Sequence, residues 1–449
     1  MYRSVNPFDN SLIKEYPLDA FPDLKKSAAA QQQWAKLSVE ERGKHLRKVA
    51  DNLQKYKAEF AQLITLEMGK PLRESLYELD KTLSTFDYFI EFAPKHLESV
   101  IIPSNASKSY VSFEPLGVLF SVMPWNFPFW QVFRFAIPSL LAGNVTVLKH
   151  APSVPGCAEA IAKLFSESDI PQNLLLNYYL SNEDAAKVIA ADEIAGVSFT
   201  GSDATGSIIA SLSGKHIKKS VIELGGNDAF IVMDDADLNI TIAGAIKSRS
   251  INSGQSCNAA KRFIVDEKIH DAFVERLTKE VLSLKVGNPL DESTQVGPLA
   301  RKDLSEKVKK QIELSVAQGA IKHQNELTGF ESGNFVAPCV LTNVTPGLCA
   351  FEEEIFGAVW SVIKSKNINE SISLANQSQY GLGASIWTAD ANRATPYISK
   401  IQAGNIFIND IVKSDARLPF GGIKKSGYGR ELSEFGLKEF VNIKTVYIH

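Results

Sequence analysis

Gly117-Val118-Leu119-Phe120-Ser121-Val122-Met123 is a short, nearly continuous apolar run. Runs of the same kind return at residues 144–148, 174–179, 196–200 and 220–224, and the intervening segments, such as 156–166 and 184–190, carry a helical pattern. A strand that is apolar on both sides must be covered on both sides. Alternation of such strands with helices therefore indicates a parallel sheet layered between helices. The expected fold is α/β, with a doubly wound domain of the dinucleotide-binding type and ligands at the carboxyl ends of its strands.

Upstream, residues 27–100 are dominated by Ala, Gln, Leu, Glu and Lys, with apolar positions at three- and four-residue steps, as in helices. After Pro103 the texture changes, and Tyr110-Val111-Ser112-Phe113 alternates as a strand does. Downstream a second α/β region is expected. Strands fall at 229–233 and 262–265, helices at 237–252 and 269–284, a turn-rich stretch over 285–350, and renewed strand–helix alternation near Val359. The last run, 441–447, reads as a strand. With the strand near residue 110 it is either an arm that pairs with another subunit or a terminal strand on its own domain.

The 449 residues allow two or three domains of about 150 residues each. A net charge of −3 with both signs scattered gives no basic surface for nucleic acid or membrane. The most apolar stretch, 127–148, is interrupted by Arg134, Pro138, Gly143 and Asn144 and does not suit a bilayer. Met1 to Asp19 has acidic residues and no apolar centre, unlike a signal peptide. The four cysteines, Cys157, Cys257, Cys339 and Cys349, lack Cys-x-x-Cys spacing and are too few for a disulfide framework. Reduced thiols, a cytoplasmic location and no metal site are expected.

Several segments carry chemistry only in combination. Phe199-Thr200-Gly201-Ser202 ends the fourth run before a helix, where backbone N–H groups can hold a phosphate. Gly201 and Gly206 have P-loop-like spacing without the Lys-Ser/Thr that completes that motif, so Gly201 is also readable as a plain turn glycine. Glu223-Leu224-Gly225-Gly226 puts a carboxylate at a strand end, either beside a ligand or in water. Pro124-Trp125-Asn126-Phe127-Pro128 is a stiff loop with an amide between two prolines. Cys257 closes Asn252-Ser253-Gly254-Gln255-Ser256-Cys257 at the end of a predicted helix, and a lone cysteine is more often inert than catalytic.

Together these segments resemble the aldehyde dehydrogenase superfamily, from about Phe21 to the C-terminus. Glu353-Glu354-Ile355-Phe356-Gly357 and Pro419-Phe420-Gly421-Gly422-Ile423-Lys424 continue the match in order and spacing. The resemblance implies a cofactor domain (1–100 and 116–226), an α/β catalytic domain (227–428) and a small β oligomerisation arm (101–115 and 429–449), assembled as a homodimer or homotetramer. It implies Cys257 as nucleophile, Asn126 and the Cys257 N–H as oxyanion donors, Glu223 as the base that activates water, and Glu431 as a proton relay. A thiolate suits this role, because an aldehyde carbon has no leaving group until a nucleophile adds to it. The implied cofactor contacts are Trp125, Lys149, Ser153, Gly201, Ser202, Glu354 and Phe356. Many NAD-preferring members carry Glu three residues after the lysine. Pro152 stands there, so NADP is expected to be accepted beside NAD.

Within that superfamily the chain is most similar to the short succinate-semialdehyde dehydrogenases. The similarity rests on Lys149-His150-Ala151-Pro152, Ser414-Asp415-Ala416-Arg417 and the segment from Lys424 to Ser433. It implies that Arg134 and Ser414 hold the substrate's far carboxylate, since Arg binds a carboxylate with paired, charge-assisted hydrogen bonds. A second Arg that some relatives place six residues before the cysteine is replaced by Ile251. Arg249 and Arg417 are substitutes or ordinary ion pairs. The expected reaction is oxidation of succinate semialdehyde to succinate. Rivals are glutarate semialdehyde or another aliphatic aldehyde as substrate, and a catalytically silent binding protein on this fold.

Overall fold

The computed structural model describes residues 1–449, and the five apolar runs form one sheet. Its parallel strands stand in the order Lys219–Glu223, Ile194–Thr200, Val118–Met123, Val145–His150, Leu175–Asn177. The chain moves outward from Val118–Met123 to one side, then returns to its other side at Ile194–Thr200. The carboxyl ends of those two neighbours thus mark the topological switch point, where this architecture opens a crevice. A sixth strand, Gly427–Tyr428, comes back from near the C-terminus and pairs antiparallel with Lys219–Glu223, setting Gly427 opposite Glu223.

The helical texture upstream resolves into Leu24–Trp34, Val39–Lys55, Lys57–Met68 and Leu72–His96. Val39–Lys55 begins with a reciprocal cap, in which Ser38 Oγ accepts from the Glu41 N–H and the Glu41 carboxylate accepts from the Ser38 N–H. Leu72–His96 buries Leu79, Phe86 and Phe89, and Phe86 meets Phe133 at 5.3 Å between ring centroids. Phe133 belongs to the helix Trp130–Leu141, which is buried along its whole length, so its one charged residue, Arg134, lies in the interior.

The second region is a seven-stranded sheet ordered Ile321–Gln324, Cys339–Thr342, Val359–Ser365, Ala260–Asp266, Asp228–Val232, Gly383–Trp387, Asn405–Ile408. Successive residues feed two cores, Ile231 and Ile264 on one face, Phe230, Val232, Phe263 and Val265 on the other. The stretch 285–350, expected to be rich in turns, also holds the helix Lys302–Ala317 and two of these strands. That helix buries Ser305, Gln311 and Ser315 beside Val308 and Ile312. Polar residues therefore interrupt its apolar stripe and blur its period.

Val441–Ile448 pairs along its length with Lys108–Pro115, whose other edge carries Val100–Ile101. Ile443, Tyr447, Ile448, Val100 and Ile101 are exposed on this small sheet. An element that the sequence patterns do not reveal is the hairpin of Tyr2–Val5 with Leu12–Tyr16. Only Tyr16 of its second strand is buried, so no alternation marks it. Tyr2 and Tyr16 pack on Tyr179, with centroids 5.5 and 5.2 Å away. No helix is long and apolar enough to cross a membrane.

Candidate active site

Three strand ends of the first sheet converge on the crevice. Val118–Met123 leads into the Pro124–Pro128 loop, Ile194–Thr200 into Gly201-Ser202, and Lys219–Glu223 ends on Glu223 itself. The second region delivers Cys257 opposite them. The helix Leu238–Ser250 ends, and Asn252, Ser253 and Gly254 then take left-handed conformations, with φ of 54°, 53° and 80°. Such residues cost free energy and persist only where the surroundings hold them.

Here the surroundings do. The Glu74 carboxylate accepts the Asn252 N–H at 2.5 Å, and Asn252 Nδ2 donates to the carbonyls of Asn126 at 2.7 Å and Gln255 at 3.1 Å. Ser253 Oγ and Gln255 Oε1 accept the N–H groups of Gly297 and Ala300, each at 2.9 Å. Lys261 donates to the Ser256 carbonyl at 2.9 Å and to that of Cys257, and its ammonium lies 3.1 Å from Glu354. A Cβ on Gly254 would stand 2.3 Å from the Gly357 backbone. Gly254→Ala is therefore expected to cost about 2 kcal/mol or more, because it adds this overlap to the left-handed penalty. A lower Tm together with a reduced kcat in the purified variant would be the sign of it.

The Pro124–Pro128 loop is tied down by His150. Its Nε2–H donates to the Pro128 carbonyl at 2.9 Å while Nδ1 accepts the Ala151 N–H at 2.7 Å, an arrangement that requires the neutral ring. Burial accordingly pushes the His150 pKa down to about 4. Asn126 Nδ2 spends one N–H on the Gln255 carbonyl at 3.1 Å. Its second N–H and the Cys257 N–H find no acceptor within the protein, which leaves both expected oxyanion donors free. Burial raises the Cys257 pKa to about 11, against the pull of Arg134 and Lys261, so the resting thiol holds its proton.

Glu223 is 2 % exposed, which removes the solvated reading. It shares the interior with Glu431, which the antiparallel bridge Phe420–Glu431 brings alongside. Arg134 Nε lies 2.5 Å from Glu431 Oε2, an ion pair whose N–H is not aligned on the oxygen, and Arg134 Nη2 donates to Thr200 Oγ1 at 3.3 Å. Burial, and then the charge of Glu431, hold the Glu223 carboxyl well above the ordinary range. Burial raises Glu431 as well, though Arg134 opposes it. Glu223 Oε1 is buried with no partner, which suits a base awaiting a proton.

Lys149, next to last in the strand Val145–His150 beside Val118–Met123, is buried and has no carboxylate partner. Burial brings its pKa down to about 8. Ser153 Oγ is buried and unpartnered. A buried cation and a spare hydroxyl fit the ribose and 2′-phosphate of NADP. Ser202 Oγ accepts the Thr205 N–H and caps the helix Asp203–Lys215. The Glu354 carboxylate accepts the Gly226 N–H at 3.1 Å, and a Cβ on Gly225 would lie 2.4 Å from it. Trp125 and Phe356 meet edge to face at 5.9 Å.

Ser414 Oγ accepts a hydrogen bond from Lys81 Nζ at 2.6 Å. Neither residue proposed to replace the missing arginine is available. Arg249 is buried and donates to the Val359 carbonyl at 2.8 Å and to that of Ile355. Arg417 is exposed and paired with Asp415 at 2.6 Å. Lys81, Lys261 and Glu74 were not singled out from the sequence, where each is one charge among many on a helix or strand.

The profile of the aldehyde dehydrogenase family matches residues 1–446. A succinate semialdehyde dehydrogenase (NAD(P)+) of Escherichia coli strain K12 is 40 % identical over 450 residues, 99 % of this chain and 97 % of its own. A succinate-semialdehyde dehydrogenase (NADP(+)) of Deinococcus radiodurans is 39 % identical over 449 residues, 99 % of this chain and 94 % of its own. The crystal structure of a succinic semialdehyde dehydrogenase from Streptococcus pyogenes in complex with NADP+ superposes with a TM-score of 0.96 at 36 % identity, covering 100 % of both chains.

Proposed function

This chain belongs to the aldehyde dehydrogenase family, and from that premise we propose that it oxidises succinate semialdehyde to succinate with NADP or NAD as hydride acceptor. The observation that carries the reading is the convergence, in one crevice, of the Cys257 thiol, the buried Glu223–Glu431 pair and a cationic end formed by Arg134 and by Lys81 with the Ser414 hydroxyl.

Cys257 Sγ bonds to the aldehyde carbon, and its proton leaves toward Glu223, whose raised pKa makes it a capable acceptor. Negative charge gathers on the former carbonyl oxygen. The Cys257 N–H and the free N–H of Asn126 take it up, and losing one such donor typically costs about 3–4 kcal/mol. The bound dinucleotide supplies the hydride acceptor. Lys149, Ser153, Gly201, Ser202, Glu354, Trp125 and Phe356 would hold it. A thioester is then left on Cys257. Glu431, steadied by Arg134, first passes the Cys257 proton outward, so that Glu223 is ionised again. Glu223 then takes a proton from water, the water oxygen attacks the acyl carbon, and the C–S bond breaks to release the acid and the Cys257 thiolate, which regains a proton from Glu223. Arg134 meets the substrate carboxylate only with the nitrogen that Glu431 and Thr200 leave free, Nη1.

We take the chain to be a cytoplasmic homodimer or homotetramer joined through the sheet of Lys108–Pro115 and Val441–Ile448. Its exposed Ile443, Tyr447 and Ile101 support this, and four unpaired thiols suit a reducing compartment. Initial rates of NAD(P)H formation from succinate semialdehyde, glutarate semialdehyde and butanal, each with NADP and NAD, test the activity. A highest kcat/KM for succinate semialdehyde is expected, and a preference for butanal would sink the substrate assignment. Pro152 is exposed, so Pro152→Glu fits without repacking. It is expected to lower kcat/KM for NADP about tenfold or more by like-charge repulsion, with little loss for NAD.

A further inference from the structure

We infer that Lys81 is the residue that sets specificity for an aldehyde carrying a distal carboxylate, its ammonium and the Ser414 hydroxyl together receiving that group. This rests on the activity proposed above and names the side chain that selects its substrate.

Lys81 lies on the helix Leu72–His96, and its Nζ is 2.6 Å from Ser414 Oγ and 4.1 Å from the centre of the Trp130 ring. Trp130 and Arg134 are one turn apart on the buried helix Trp130–Leu141 and so share a face. The ammonium thus sits over the wall that also carries Arg134. A cation largely withdrawn from water, as the half-buried Lys81 is, ordinarily has a carboxylate partner. Lys81 has none. Its contacts are a neutral hydroxyl and an aromatic face, while Asp415 is paired with Arg417, and Glu78 with Lys70. Arg134, by contrast, is held by Glu431. Of the two cations at this end of the crevice, Lys81 is the one without an ion-pair partner. A dicarboxylic semialdehyde brings the missing anion and is placed by it with its aldehyde toward Cys257.

The electrostatics agree. The titratable and charged groups facing Lys81 are Arg134, Glu78, Asp415 and the neutral Cys257 thiol. Burial, and then Arg134, bring its pKa down to about 7. An anionic substrate favours the protonated form. The KM for succinate semialdehyde should therefore rise relative to that for butanal as pH increases through this value and the cation is lost.

The test compares Lys81→Met and Lys81→Arg with the wild-type enzyme on succinate semialdehyde and butanal, with succinate as a competitive inhibitor. Removing a charged hydrogen bond to the substrate is expected to lower kcat/KM for succinate semialdehyde by about 10- to 100-fold, mainly through KM. Butanal should lose far less, succinate inhibition should weaken in parallel, and Lys81→Arg should restore part of the preference. The relative KM should also lose its pH dependence in Lys81→Met. Equal losses on both aldehydes, or an unchanged preference with unchanged succinate inhibition, would overturn the role of Lys81. A wild-type enzyme with no preference for the charged aldehyde would instead overturn the substrate reading itself.

Discussion

Replacing Cys257 by alanine is expected to abolish NAD(P)H formation from succinate semialdehyde, with a loss in kcat of about 10⁴-fold or more, as when a covalent nucleophile is removed. Hydride cannot leave the aldehyde carbon until a nucleophile has added, and no second thiol is at hand, since Cys157, Cys339 and Cys349 are buried elsewhere. The fold should survive. The loop before Cys257 is held by Glu74, Asn126, Ser253, Gln255 and Lys261 through bonds that do not involve the thiol. Unchanged thermal unfolding beside lost turnover would place the defect in chemistry. A variant that keeps even a tenth of the wild-type rate would remove Cys257 from the mechanism.

Glu223→Gln is expected to separate the two halves of the reaction. Steady-state turnover should fall by about 10²–10⁴-fold, the usual contribution of a general base. A burst of NAD(P)H stoichiometric with subunits should persist, slower than in the wild type because Gln cannot take the Cys257 proton either, but still faster than the release of the acid. The acyl group should then remain on Cys257 and be visible as added mass on the intact protein. The pH profile gives a second reading. In the wild type the Glu223 carboxyl is held well above its ordinary range, so the base is lost as pH falls through that raised value and returns as pH rises. This acidic limb should flatten in Glu223→Gln. The rise at high pH, which follows the Cys257 thiol with its pKa near 11, should remain. Full turnover with an unaltered profile would show that another group activates the water.

Arg134→Ala, the substitution that sequence alone suggests for testing carboxylate recognition, does not isolate it. Arg134 is the cation that acts on both Glu223 and Glu431, and its removal takes from Glu431 its ion-pair partner and leaves Glu223 with Arg430 alone. Breaking one side of a buried ion pair costs about 3–5 kcal/mol, and the loss would spread to every substrate. Lys81 offers the cleaner probe because its ammonium is bound to no carboxylate.

Much of this molecule is legible in its sequence. Continuous apolar runs alternating with helices determined the parallel sheet, because strand burial on both faces is a local requirement that each run records in its own residues. The helix Lys302–Ala317 and the hairpin from Tyr2 escaped for the same reason, since their buried positions are polar or too few to leave a period. Cys257, Glu223 and Asn126 were singled out through the resemblance to the family, whose motifs are short and contiguous, and none of the three identified a function when taken singly. What only the tertiary structure decided is which charges face one another. Arg134 meets Glu431 and Lys81 meets Ser414 across separations of 297 and 333 residues. No local pattern marks such pairs. They follow from packing the helices Leu72–His96 and Trp130–Leu141 against the returning C-terminal segments, and the balance of buried charge that results exists only once the chain has closed around it.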